Sequence, residues 1–233
     1  MDKNFEKSYE SVIFYVKDKI LKNEYIIGDK LPSERDLAIK LEISRNSVRE
    51  GIRILERMGV IYSQHGAGNF ISGQFDQTLT EVMSMMYVLK GMDMEKLTDF
   101  RFGLEFSAVN LAVKNINDDQ KRRIMLHLEA MENAETEAIR AKNDKSMHYL
   151  LVESSNNIYI ISNFNALNDI MEQYVPKMRE KIFTDIKSEE LLAIAHRQLV
   201  EGVIEGDLDK ALDGLLKHFK YIRQFLKVEL DSD

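Results

Sequence analysis

Two prolines, Pro32 and Pro176, are all that interrupt 233 residues. Proline lacks a backbone donor and its ring collides with the preceding turn, so each costs a helix interior about 3 kcal/mol. A chain this long with so few breakers is predicted to be mainly α. Hydrophobic periodicity agrees: Val12, Ile13, Val16 and Ile20 recur at helical spacing in a first segment from about residue 5 to Asn23. After a turn at Gly28-Asp29, Ser33 is a good N-cap for a short helix over 34–41. Ser44 caps a second one reaching about Met58, which Gly59 closes. Val60 to Ser63 and Phe70-Ile71 read as two short strands, with 64–69 as a glycine-containing loop.

Past Gly73 the pattern changes. Helices are predicted over 77–90, 94–114, 118–141, 144–154, 158–183, 188–205 and 208–230. Short polar turns join them, which favours antiparallel neighbours in a bundle. The expected architecture is an N-terminal winged helix-turn-helix over 1–73 and a C-terminal all-helical antiparallel bundle over 74–233.

A net charge of −7 argues at first against a nucleic-acid partner. Residues 1–75, however, carry 12 Lys and Arg against 11 Asp and Glu, while the remainder carries 20 against 28. DNA binding needs a local basic surface, not a basic whole, so this split permits it. The absence of cysteine excludes disulfide frameworks and thiolate metal sites and fits a reducing cytoplasm. No run reaches the roughly 18 apolar residues of a membrane span. The first residues lack the basic start and apolar run of a secretion signal. A cytoplasmic protein without a membrane partner is expected.

In a helix-turn-helix the second helix enters the major groove and its N-terminal residues reach base edges. Here that helix buries Val48, Ile52 and Leu55 on one stripe and turns Asn46, Arg49 and Arg53 the other way, with Arg45 at its amino end. Arginine reads guanine bidentately, which suits Arg45 and Arg49 to base readout. The glycines of His65-Gly66-Ala67-Gly68 let a hairpin tip approach a sugar-phosphate chain. An arginine-rich solvated face on an ordinary helical subdomain accounts for the arginines equally well. One reading head covers a short half-site, so a two-fold homodimer on a palindrome is expected.

The chain has five histidines, at 65, 127, 148, 196 and 218. Asp144 and His148 are four apart and share a helical face. His196 lies 10 residues before Gly206 and His218 lies 12 after it. In a helical hairpin turning there, both sit about 15–18 Å from the turn at a rise of about 1.5 Å per residue. Three imidazoles and one carboxylate from three helices thus have the means to converge on a divalent metal. On spacing alone, satisfied core or surface histidines are the commoner outcome. His127 lacks such partners and is expected to be exposed.

The run KLPSERDLAIKLEISRNSVREGIRILERMGVIYSQHGAGNFI resembles the winged helix-turn-helix of the GntR family of bacterial repressors from about Ile20 to Ile71. The blocks LPSER, SRNSVRE and GAGNFI stand in that family's order and spacing. The resemblance implies DNA contacts by Arg35, Arg45, Arg49 and Gly66, with Ser44, Asn46 and His65 as secondary candidates. Gly51 departs from a usual alanine, which is expected to weaken its helix by up to about 1 kcal/mol. Residues from about 78 to 228 resemble the all-helical FCD effector domain of the FadR-type branch. RFGLE at 101–105 matches its arginine-to-glutamate signature, and DKSMHYLLVESSNN its metal-and-asparagine helix, with Met147 replacing a phenylalanine. The resemblance implies one divalent ion per chain (Zn, Ni, Mn or Fe) on Asp144, His148, His196 and His218, and ligand contacts from Arg101 and Asn157; the other reading of Arg101 is a simple ion pair with Asp99 or Glu105 on its own helix. Because the family's acyl-CoA-binding members lack this metal set, it also implies a small organic acid as effector. Two other functions stay open: a metal-dependent hydrolase with Glu105 or Glu153 as base, and a sensor for which the metal itself is the signal.

Overall fold

The structure, a computed structural model, describes residues 9–91, 93–167 and 186–230. The chain separates into two compact units, one through Leu79 and one from Thr80 onward. The expected boundary at Gly73 lies a short way before that division, which falls inside a helix.

The first unit contains α1 (Tyr9–Leu21), α2 (Glu34–Leu41), α3 (Arg45–Arg57), β1 (Ile61–Gln64) and β2 (Gly68–Ile71). Val12 and Val16 of α1, Leu37 of α2, and Val48, Ile52 and Leu55 of α3 close one core with Ile61 and Ile71. Ser33 Oγ accepts from the Asp36 N–H at 3.2 Å and Ser44 Oγ from the Ser47 N–H at 3.0 Å. Each cap satisfies a helix-start donor and contributes about 1 kcal/mol. α3 crosses α1 at Gly51, where a Cβ would lie 2.7 Å from Val12 Cβ and 2.9 Å from Tyr9 O. Glycine at this position is therefore a packing requirement, and the close crossing offsets its low helix propensity.

The second strand is two residues longer than expected and the first is shifted by one residue. Their antiparallel register runs from Ile61↔Ile71 to Gln64↔Gly68, so the loop shrinks to 65–67. Gly66 at φ 74 and Gly68 at φ 113 take the left-handed conformations this tight reversal needs. The segment after α1 adds a partner that periodicity does not reveal. Lys30 bridges to Phe70, the Leu31 N–H donates to Asn69 O at 2.8 Å, and the Ile71 N–H donates to Asp29 O at 2.8 Å. Tyr62 stacks on Phe70 at 5.4 Å.

Next come α4 (Asp76–Leu89), α5 (Met94–Asn115), α6 (Asp118–Glu132), α7 (Glu137–Glu153), α8 (helical over 158–167), α9 (Ile186–Glu205) and α10 (Leu208–Leu230). The helix expected over 118–141 is two helices. Asn133 folds its Nδ2 back onto Glu129 O at 2.8 Å, and Thr136 Oγ1 accepts from the Ile139 N–H at 3.3 Å to cap α7. Asp144 and His148 consequently sit well inside α7 and not at its start. Of the helix expected over 158–183, residues 168–183 lie outside the described residues. Val109 and Ala112 of α5, Ile124 and Leu128 of α6, Leu150 and Leu151 of α7, Leu199 and Val203 of α9 and Leu215 and Phe219 of α10 form the main core. No helix among the described residues is long and apolar enough to cross a membrane.

Candidate nucleic-acid interface and metal centre

Arg35, Ser44, Arg45, Asn46, Arg49, His65 and Gly66 are all exposed on the first unit. Arg45 and Asn46 occupy the first turn of α3, next to the cap made by Ser44. The start of α3 presents backbone N–H groups and the positive end of the helix dipole, which suits a phosphate. Arg49 donates through Nε to Glu34 Oε2 at 2.8 Å while its side chain remains 53% exposed, so α2 orients this arginine without hiding it. His65 and Gly66 sit at the wing tip.

The second unit brings together His148 of α7, His196 of α9 and His218 of α10. Their ligand-capable nitrogens all lie within 4.8 Å of one another, and the three residues are at most 5% exposed. Asp144 Oδ1 stands 3.1 Å from His196 Nε2 and 3.6 Å from His148 Nε2. Asp144 thus borders the three-histidine group on the side of His196 and His148. Backbone proximity makes the group possible. A Cβ on Gly202 would lie 2.3 Å from Ala211 N, and one on Gly214 2.4 Å from Leu199 N. These two glycines let α9 and α10 touch main chain to main chain, which sets the His196 and His218 ring centroids 4.4 Å apart. The sequence shows the glycines but not that they face the partner helix.

Electrostatics explains which forms persist. Burial, then the neighbouring His196 and His148, holds His218 well below the ordinary 6.5. Burial also lowers His196, against the opposing pull of Asp144. Both rings are neutral near pH 7 and offer lone pairs. Neither Nδ1 nor Nε2 of buried His218 has a hydrogen-bond partner among the described residues. An unmet buried polar group costs about 1–3 kcal/mol. His148 Nε2 and His196 Nε2 face each other at 3.3 Å. Nitrogen lone pairs converging beside one carboxylate, with one ring unmet, fit a divalent ion, whose Zn–N bonds are about 2.0–2.1 Å.

Arg101 of α5 donates through Nε to Glu105 Oε1 at 2.6 Å and is 15% exposed. Its guanidinium carbon lies 5.8 Å from the Phe219 ring centroid and 6.0 Å from that of Phe164. Glu105 in turn receives His148 Nδ1 at 2.6 Å on Oε2. Burial pushes the Glu105 carboxyl up, but His148 and Arg101 together outweigh it and hold the pKa below its ordinary value. Both Glu105 oxygens are thus engaged, one by Arg101 and one by His148, and Glu153 stands 3.9 Å from Arg123. Asn157 is the N-cap of α8, its Oδ1 accepting from the Tyr159 N–H at 3.1 Å and more weakly from that of Ile160. His127 differs from expectation. It is half-buried, and its Nδ1 lies 2.9 Å from Asn143 Oδ1, because α7 begins early enough to pack Asn143 beside α6.

A capped recognition helix beside a wing, on a chain that also carries a helical domain, defines the class of a DNA-binding transcription regulator. The description "Bacterial regulatory proteins, gntR family" matches residues 8–71, and the FCD domain matches residues 96–221. The chain belongs to the GntR family, in its FCD-bearing, FadR-type branch, and is a transcription regulator and not an enzyme. It is 27% identical over 210 residues, 88% of its length and 81% of the relative's, to an Escherichia coli (strain K12) protein named as a candidate regulatory protein of the L-lactate dehydrogenase operon. It is 24% identical over 201 residues, 85% of this chain and 92% of the other, to the HTH-type transcriptional regulator LutR of Bacillus subtilis (strain 168). A solved GntR structure from Streptococcus agalactiae shares the fold at TM-score 0.59 and 24% identity, covering 93% of this chain and 99% of that one.

Proposed function

We infer that this regulator acts in the cytoplasm as a homodimer that reads a palindromic operator, and that it responds to a small organic acid at the histidine cluster. The observation that carries the effector reading is the convergence of His148, His196 and His218 with neither nitrogen of His218 partnered among the described residues. Asp144 and these three histidines would hold one divalent ion per chain, which supplies a positive, Lewis-acidic seat for a carboxylate. Zinc, nickel, manganese and iron all suit nitrogen and oxygen donors. Arg101 offers a fork that grips a carboxylate in fixed orientation, and Asn157 keeps an amide for a second polar group. Glu105 offsets the charge of Arg101 and Asp144 offsets half that of a divalent ion, so the loaded pocket carries about one excess positive charge, which an anion relieves.

On DNA, Arg45 and Arg49 read bases and Arg35, Ser44, Asn46, His65 and Gly66 support them. Val82, Met85, Met86 and Leu89 of α4 are exposed apolar side chains suited to a subunit interface. Light scattering at micromolar concentration is expected to give twice the monomer mass. The relative named for the L-lactate dehydrogenase operon makes 2-hydroxy acids the first ligands to try. Calorimetry against hydroxy acids, dicarboxylates and sugar acids tests the effector reading. Binding that vanishes both on chelation and in Arg101→Ala supports it, and tight binding that survives both treatments contradicts it. Binding of metal alone that shifts operator affinity, with no acid bound, favours a pure metal sensor.

A further inference from the structure

Glu105 is a carboxylate at 1% exposure inside a helical domain. A charge buried this deeply must be paired and hydrogen-bonded. It meets that requirement with one oxygen for each of two neighbours, Arg101 Nε on Oε1 and His148 Nδ1 on Oε2, both at 2.6 Å. An ionised carboxylate only accepts, so the hydrogen of His148 resides on Nδ1. In the neutral ring the lone pair then belongs to Nε2, the atom that faces His196 Nε2 at 3.3 Å and Asp144 Oδ1 at 3.6 Å. At its other end Glu105 engages only the Nε edge of Arg101, and no described residue hydrogen-bonds the two terminal nitrogens of that guanidinium. The carboxylate lies behind the His148 ring, away from Nε2, and so serves through its neighbours.

The geometry points to Glu105 as the positioning residue of this site: one side chain sets the His148 tautomer for metal ligation, aims Arg101 at the anion, and couples the two. This rests on the metal and anion reading above. Imidazole ligands held by a carboxylate through their second nitrogen are both oriented and made more basic, and loss of such a partner weakens metal binding by about 10–100-fold. Glutamine in place of Glu105 keeps the shape but has one accepting oxygen for two donors. Its amide N–H groups then confront either Arg101 Nε or His148 Nδ1.

Two measurements on the full chain test the assignment. Long-range proton–nitrogen NMR of the metal-free wild type reads the His148 tautomer directly, and zinc affinity is read by competition with a chromophoric chelator. The expected result is His148 in the Nδ1–H form in wild type, a tautomer mixture in Glu105→Gln, and zinc affinity lowered by about 10–100-fold in that variant. An Nε2–H form of His148 in wild type overturns the inference even if Glu105→Gln does not fold. Folded Glu105→Gln with zinc affinity within about twofold of wild type overturns it while leaving the metal reading intact. Wild type that takes up no zinc, nickel, manganese or iron yet shows the Nδ1–H form overturns the metal reading, and with it any positioning role beyond a structural ion pair.

Discussion

The first unit displays its candidate functional groups and the second conceals them. Arg35, Arg45, Asn46 and Arg49 stand in solvent on one short motif, and Glu34 orients Arg49 without covering it. His148, His196, His218 and Glu105 are at most 5% exposed and come from four helices. An exposed arginine keeps its hydration and needs no matching partner, so readout groups can be set by local helix geometry alone. A buried charge must be matched atom by atom, which ties Asp144, Glu105 and Arg101 to the histidines and makes the second site dependent on helix packing.

That dependence gives the largest expected effect. Gly214→Ala places a methyl 2.4 Å from Leu199 N and 2.8 Å from its Cα, both main-chain atoms. Forcing α9 from α10 is expected to cost about 3 kcal/mol or more and to separate His196 from His218. Gly51→Ala in the first unit meets Val12 Cβ at 2.7 Å. Its better helix propensity offsets part of the clash, so a net loss of about 1–2 kcal/mol is expected. Denaturant melts followed by circular dichroism compare them, and equal costs would erase the contrast between the units.

On the exposed side, Arg49→Ala is expected to weaken operator binding by about 1–3 kcal/mol in fluorescence-anisotropy titrations, with affinity falling steeply as salt rises. The histidine cluster remains intact in this variant, so effector binding by calorimetry is expected to be unchanged. Operator affinity equal to wild type would remove α3 from the reading position.

A smaller effect separates the units by pH. His218 and His196 have folded pKa values below the ordinary 6.5. The unfolded chain therefore binds more protons than the folded one below about pH 6.5, and stability present above that value is lost as pH falls toward the folded values. Metal-free protein is expected to show a falling melting temperature for the second unit between about pH 7 and pH 5. His218→Leu is expected to flatten the slope, and an unchanged slope would mean that His218 titrates normally.

How much of each site the sequence makes legible follows from the same contrast. The recognition helix is contiguous: Ser44 as cap and Val48, Ile52 and Leu55 as buried stripe stand where spacing places them. The matching heights of His196 and His218 follow from the turn at Gly206, and their rings do meet. Spacing cannot show which glycines face a partner helix, so Gly51 reads as a weakness and Gly202 and Gly214 pass without notice. The i, i+4 spacing does offer Glu105 as a partner for Arg101, and the structure forms that pair, but spacing cannot show that the second Glu105 oxygen goes to His148. The break at Asn133–Thr136 and the early start of α7 depend on two side chains folding onto nearby main chain, a local choice that periodicity does not register.

The central claim is that the buried histidines hold a metal that seats an anion. It is tested most directly by elemental analysis of protein purified without an affinity tag, alongside the His148→Ala, His196→Ala double variant. The expected result is close to one divalent ion per wild-type chain and none in the double variant, with both proteins still folded. Full metal content retained in the double variant, or a wild-type chain that holds no ion and takes up none on addition, would contradict the account.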